Sequence, residues 1–168
     1  MKTWLFGICL MVMGSIVPTI CIVKSIQFNQ NCGGYLKQAA DANTTELALE
    51  RINIALDYIE ENKLTDGYTS VLWRTEDENV EYWYRNIKAC KAELEGCMDA
   101  SSLEKSNVLM KVRESLTDIN EKGVDLTVPD GISRFPDNAL WGWLRLISYI
   151  VLIVGIGFVV YWYSEETY

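Results

Sequence analysis

Histidine is absent from the 168 residues. The chain therefore lacks the side chain most used for proton transfer near neutral pH, and the commonest metal ligand. No Ser–His or Cys–His nucleophile pair can be assembled, which excludes the ordinary hydrolytic enzymes. Basic residues are scarce as well, 15 Lys and Arg against 23 Asp and Glu, for a formal charge of −8. A nucleic-acid binder needs a clustered basic face, and an acidic chain argues against one. The five cysteines contain no CxxC pair, so a zinc site of the usual spacing is excluded. Cys32-Gly33-Gly34 has neither the spacing nor the Lys-Ser/Thr ending of a phosphate loop and reads as a turn. These absences together point to a non-enzymatic protein with no cofactor and no metal.

The residues that are present are distributed very unevenly. A mean hydropathy of +0.04 and a hydrophobic fraction of 49% average two long apolar runs with a polar middle. From Trp4 to Val23 no residue is charged, and Lys2 and Lys24 bound the run. From Leu146 to Tyr163 the same holds, with Arg145 before and Glu165 and Glu166 after. A helix needs about 20 largely apolar residues to cross a ~30 Å hydrocarbon layer, and both runs approach or reach that length. Trp141 and Trp143 at one end of the second run, and Tyr161, Trp162 and Tyr163 at the other, are interfacial anchors. The first run also resembles a signal peptide, but small residues at a cleavage site are poorly placed and the apolar stretch is too long. An uncleaved anchor is the preferred reading. Pro18 lies inside it, which a membrane helix tolerates when a neighbour satisfies the freed carbonyl.

This gives four segments. Residues 1–24 form an N-terminal membrane helix, 25–137 an acidic helical domain, 138–163 a C-terminal membrane helix and 164–168 a short tail. The middle segment carries 12 Lys and Arg against 21 Asp and Glu, a net of −9, so the acidity belongs to it and keeps it off anionic lipid. The expected class is all-α, with two transmembrane helices flanking a polar antiparallel helical bundle.

Helical signals in the middle are strong. A first helix starts near Gly34 or at Asn43-Thr44-Thr45 and ends near Leu64, with Ala48, Ile52, Ala55 and Ile59 on one stripe. Asp66-Gly67 breaks it. Thr75-Glu76-Asp77-Glu78 reads as a capping box. Beyond it Val80, Trp83, Ile87, Cys90, Leu94 and Cys97 alternate by three and four, an a/d seam. A second box, Ser101 to Glu104, opens a helix with Leu109, Val112, Leu116 and Ile119 on its apolar face and Gly123 as C-cap. Val124, Leu126 and Val128 alternate with polar residues and read as extended. Pro129-Asp130-Gly131 is a turn, and Asp137 caps the second membrane helix.

Few residues suggest a site. Cys90 and Cys97 lie about 10 Å apart along one helix, beyond the ~7 Å reach of a disulfide. Either they pack in the core, or Cys32 pairs with Cys90 or Cys97. The cluster Glu76-Asp77-Glu78 with Glu81 invites a cation, although carboxylates in a first helical turn are favoured by the macrodipole alone. Asn43-Thr44-Thr45 matches a glycosylation acceptor and equally a helix cap. Tyr82, Trp83 and Tyr84 are the densest aromatic patch. Trp83 falls on the seam and Tyr82 and Tyr84 flank it, so they form either core or an interface with a partner. Gly155 and Gly157 offer a groove on the second membrane helix for Gly7, Gly14 and Ser15 on the first.

The stretches Asn31 to Asn43, Gly67 to Leu72, Glu81 to Tyr84 and Leu103 to Lys111 resemble a group of small, uncharacterised bacterial two-span membrane proteins. The resemblance implies a bacterial cell-membrane setting and carries no activity and no functional residue. The layout is also similar to bacterial sensor modules, in which a helical bundle outside the cytoplasm sits between two spans. It departs from them in having only Ser164 to Tyr168 after the second span. The basic start favours an inside N-terminus and an extracytoplasmic domain, while Lys24, Arg134 and Arg145 on the loop side oppose it. The expected function is a protein-binding adaptor or sensor, self-association included. The alternative is an accessory subunit of a transport or channel complex, with Arg145 acting on ions rather than snorkelling.

Overall fold

The computed structural model describes residues 3–120 and 123–167. Met1, Lys2 and Tyr168, at the ends of the expected anchor and tail, and Glu121 and Lys122 lie outside the described residues. The elements in order are α1 (Thr3–Phe28), a π-helical turn (Asn29–Gly33), α2 (Gly34–Ala40), α3 (Thr45–Glu61), a 3-10 turn (Glu76–Glu78), α4 (Val80–Gly96), α5 (Ser102–Leu116), β1 (Thr117–Asn120), β2 (Gly123–Leu126), a 3-10 turn (Ile132–Arg134) and α6 (Asn138–Thr167). The chain is mostly helical and divides into two units, one of Met1–Ser25 with Asp137–Tyr168 and one of Ile26–Pro136.

The first unit holds two helices long and apolar enough to cross a membrane. They pair antiparallel, as the contacts show. Trp4 meets Trp162 at 5.9 Å between ring centroids, Phe6 meets Phe158 edge-on at 5.3 Å, and Lys24 Nζ sits 5.2 Å from the Trp141 ring. Between these ends the seam is made of small residues. Gly7, Gly14 and Cys21 on α1 are buried, and so are Ser148 and Gly155 on α6; all recur at intervals of seven, the repeat that keeps one stripe of each helix turned to its neighbour. A Cβ on Gly155 would lie 2.9 Å from the Gly7 carbonyl oxygen, and one on Gly14 would lie 2.9 Å from the Ser148 carbonyl oxygen. Glycine is what lets the backbones approach this closely.

Pro18 fits the same seam. It has no N–H to donate to the carbonyl four residues back, which is Gly14. The Ser148 hydroxyl donates a hydrogen bond to that Gly14 carbonyl and is itself buried. The neighbouring helix thus replaces the donor that proline removed. The expected groove needs one correction. Gly155 is in the contact, but Gly157 has open space around it, and Ser15 is exposed with its hydroxyl turned back to the Val12 carbonyl. Two residues along a helix rotate a side chain by about 200°, so Gly155 and Gly157 cannot share a face.

The second unit is organised on α4. Val80, Trp83, Ile87, Cys90, Leu94 and Cys97 are all buried, and α4 packs against α3 and α5 of the same chain. The seam is therefore an intramolecular core rather than a coiled coil. Ala48, Ile52, Ala55 and Ile59 of α3 are each fully buried, and Leu36 and Ala39 of α2 join them. Each large aliphatic side chain so buried contributes about 1.5–3 kcal/mol. The first expected helix is two, α2 and α3, with Thr44 as the cap between them; its hydroxyl accepts from the Leu47 N–H at 3.2 Å. Gly67 takes a φ of +101°, a left-handed value that a residue with a Cβ adopts only under strain.

Polar links hold α5 in place. The Arg113 guanidinium donates to the Ala40 carbonyl at 2.9 Å, satisfying the end of α2. Lys105 pairs with Glu46 at 3.3 Å, and Lys111 pairs with Glu93. Ser101 caps α5 by accepting from the Glu104 N–H at 3.4 Å. Two local expectations are revised. Thr75 does not cap a helix: its hydroxyl donates to the Glu78 carboxylate, and Asn79 caps α4 by accepting from the Tyr82 N–H at 3.0 Å. Gly123 is not a C-cap either. The helix stops at Leu116, and Thr117–Asn120 pairs antiparallel with Gly123–Leu126, so the protein is not purely α-helical.

The Gly155 approach gives a direct test. Gly155→Leu should abolish site-specific cross-linking between α1 and α6, whereas Gly157→Leu should leave it unchanged. Equal effects of the two variants would contradict the packing described.

Candidate functional site

The N-terminal half of α4 does two jobs at once. Its buried stripe anchors the helix, and the positions beside the stripe face a cavity of 600 Å³ walled on the far side by the β1–β2 hairpin and the segment after it. That volume lies in the range of small-ligand sites. Tyr82, Trp83 and Asn86 of α4 line it, together with Glu76 and Asp77 of the preceding turn. Asp118 and Asp125 line it from the hairpin. These two aspartates are register partners, and directly opposed residues of an antiparallel pair project from the same face. Four carboxylates therefore surround the cavity, and among the described residues no lysine or arginine lines it.

The aromatic residues separate by position. Trp83 is 5% exposed, lies 6.5 Å from the Phe28 ring, and has a buried indole N–H with no hydrogen-bond acceptor. Tyr82 is 69% exposed at the rim. Tyr84 turns away from the cavity: its hydroxyl donates to Glu60 of α3 at 2.6 Å, and Lys88 Nζ lies 5.3 Å from its ring centroid. Hydrogen bonding to the Glu60 carboxylate favours the neutral phenol and pushes the Tyr84 pKa up. Asn86 is fixed by donating to the Ser115 carbonyl of α5 at 3.0 Å, and Asn79 donates to the Tyr68 hydroxyl at 3.3 Å. Of the expected trio, Tyr82 and Trp83 share a site and Tyr84 is a strut to α3.

Of the two alternatives for the cysteines, core packing is the arrangement seen and the pairing of Cys32 with Cys90 or Cys97 is not formed. All five are free thiols, and the three of this unit have different surroundings. Cys32 is buried close to Tyr58 of α3, and desolvation pushes its thiol up to about 12. Cys90 faces Ser115, with burial again raising its pKa. Cys97 donates its thiol to the Leu94 carbonyl at 3.3 Å, inside its own helix. Pairing Cys32 with Cys90 or Cys97 is replaced by three separate core positions. Among the described residues no group of three or more Cys, Asp or Glu is placed to hold a metal ion. Thr44 of the Asn43-Thr44-Thr45 sequence acts as the cap of α3.

Two further features bear on function. Val71, Leu72 and Trp73 are 50, 77 and 78% exposed in the irregular segment before α4, a run of apolar side chains. Arg145 on α6 donates to the Tyr149 hydroxyl at 3.3 Å and lies over that ring. The hairpin aspartates were missed in the sequence because Ile119 continues the helical period of α5; the extended alternation after Gly123 was the available signal. Compared with protein-family models, with curated proteins and with solved structures, the chain matches none.

The Cys32 environment sets a pH dependence. Its folded pKa lies above the ordinary 9.0, so folding favours the protonated thiol. The associated stability is complete below pH 9 and is lost as pH rises from 9 through about 12. In thermal melts across that window, Cys32→Ala should lose stability less steeply than the parent protein. Parallel slopes would contradict a buried, protonated Cys32.

Proposed function

We propose that the chain is an integral membrane protein in which α1 and α6 cross the bilayer as a helical hairpin, with Ile26–Pro136 forming a polar helical bundle outside it. The support is the inverted polarity of the first unit. Its seam holds glycine and serine, while Ile8, Val12, Ile16, Ile153, Ile156 and Val160 face outward and exposed. In water that surface would be a large unpartnered apolar patch; against lipid tails it is matched, and small residues are what membrane helices use to pack. In this reading the bundle is extracytoplasmic, an orientation that the basic start favours and that Lys24, Arg134 and Arg145 on the loop side oppose, and the bacterial cell membrane is carried by the resemblance alone.

The bundle's role in this reading is that of a non-enzymatic adaptor or sensor that binds another protein. The cavity beside α4 carries it: a tyrosine at the rim and a tryptophan in the wall are the residue types that dominate binding energy at protein interfaces. The exposed Val71-Leu72-Trp73 run adds apolar surface in the segment leading to the same helix.

The protein should resist alkaline extraction from membranes, leave them only in detergent, and then elute with the mass of a dimer or of a complex with a recurrent companion. Tyr82→Ala should release that companion without changing the melting temperature, because the ring is exposed. A monomer with no companion, or a complex unaffected by Tyr82→Ala, would contradict the reading.

A further inference from the structure

Resting on the membrane reading, we infer that the end of the α1–α6 hairpin carrying Lys24 and Arg145 binds the headgroup of an anionic phospholipid, with Arg145 and Tyr149 at its centre. Three observations carry it, and the first is how Arg145 is held. The residue is half-buried, and its guanidinium donates to the Tyr149 hydroxyl at 3.3 Å and lies 6.0 Å from that ring's centroid. Tyr149 is one turn further into the apolar run, so the cation is tied to a residue on its membrane side rather than left extended toward water. Among the described residues no carboxylate pairs with Arg145, nor with Lys24. A guanidinium has five N–H donors, of which Tyr149 takes one, and a hydroxyl that accepts keeps its own hydrogen to donate. One positive charge with several donors suits a group with several acceptor oxygens, which is the chemistry of a phosphate.

The second observation is a further cation one turn nearer the end of the hairpin. Lys24 Nζ lies 5.2 Å from the Trp141 ring centroid, and Trp141 precedes Arg145 by one turn on the same face of α6. Basic pockets between membrane helices are where anionic headgroups bind. The choline of a zwitterionic lipid would meet like charge at Lys24, which a glycerol headgroup does not. The third observation is what lies beyond Tyr149. Ile153 and Ile156 follow Arg145 by eight and eleven residues on the same side of α6, and are 68 and 47% exposed. From Arg145 to Ile156 the helix rises about 16.5 Å, close to half of a ~30 Å hydrocarbon core. A free phosphate ion leaves that stripe bare, whereas an acyl chain covers it. The occupant therefore carries an anionic head and an apolar tail in one molecule.

The test is native mass spectrometry of the full-length protein in detergent micelles holding equal amounts of phosphatidylglycerol and phosphatidylcholine with identical acyl chains. Phosphatidylglycerol should be retained in about tenfold preference, and ~10 mM inorganic phosphate should not displace it. Arg145→Gln should bring the two lipids near parity. Tyr149→Phe keeps the ring and removes only the hydroxyl, and should lower the preference about threefold. Both variants should keep the cross-link between α1 and α6, the sign of an intact hairpin. Equal retention of the two lipids by the parent protein, displacement of phosphatidylglycerol by phosphate, or a preference unchanged in either variant would each overturn the inference. In all three cases a protein that still resists alkaline extraction leaves the membrane reading standing. A protein that alkali extracts ends the membrane reading, and the lipid site with it.

Discussion

The burial of one face of α4 is the constraint on which the second unit depends. Six side chains at spacings of three and four, Val80 to Cys97, turn inward between α3 and α5. That fixes the rotation of the helix, and with it the direction of every other residue on it. Tyr82 and Asn86 come to line the cavity and Tyr84 reaches Glu60 because Trp83 and Ile87 are held in the core. Large apolar side chains in a close-packed interior leave little rotational play. The geometry of the cavity wall at the outer positions is thus inherited from packing on the inner ones.

The first unit solves a different problem with the opposite distribution of residues. On the proposed reading as a membrane hairpin, water does not drive the two apolar helices together, so contact has to come from close approach and hydrogen bonding. Gly7, Gly14 and Gly155 supply the approach, and Ser148 supplies the hydrogen bond exactly where Pro18 leaves a carbonyl unserved. A proline that would weaken an isolated helix becomes a reason for pairing.

Much of this was legible in the residues, for reasons that differ from place to place. The α4 seam and the α3 stripe could be read because helical periodicity reports burial directly, and the Val80–Gly96 and Ser102–Leu116 helices follow from it. Where a local pattern had two satisfactory outcomes, it misled. Thr75 to Glu78 has the composition of a capping box, yet the Thr75 hydroxyl bonds the Glu78 side chain and Asn79 does the capping. Ile119 continues the apolar spacing of α5, yet the chain becomes extended at Thr117, a β-branched residue whose hydroxyl donates to the Arg113 carbonyl at 2.7 Å. Missing that switch meant missing the hairpin, and with it Asp118 and Asp125. Half of the site, Tyr82 and Trp83, was visible in one helix. The other half arises from the pairing of two strands that wall the cavity across from that helix, which no spacing rule within α4 contains.

The central claim is that Trp83 is a core residue of α4 whose edge also lines the cavity, and urea unfolding of Trp83→Ala in the full-length protein addresses its place in the core most directly. Replacing a buried tryptophan with alanine costs about 3–5 kcal/mol, a large share of the stability of a domain of this size. The account predicts a midpoint shifted far toward lower urea, with α4 losing its packing. A variant that unfolds at the same urea concentration as the parent and loses only its partner would contradict it, making Trp83 a surface residue and α4 free of the core.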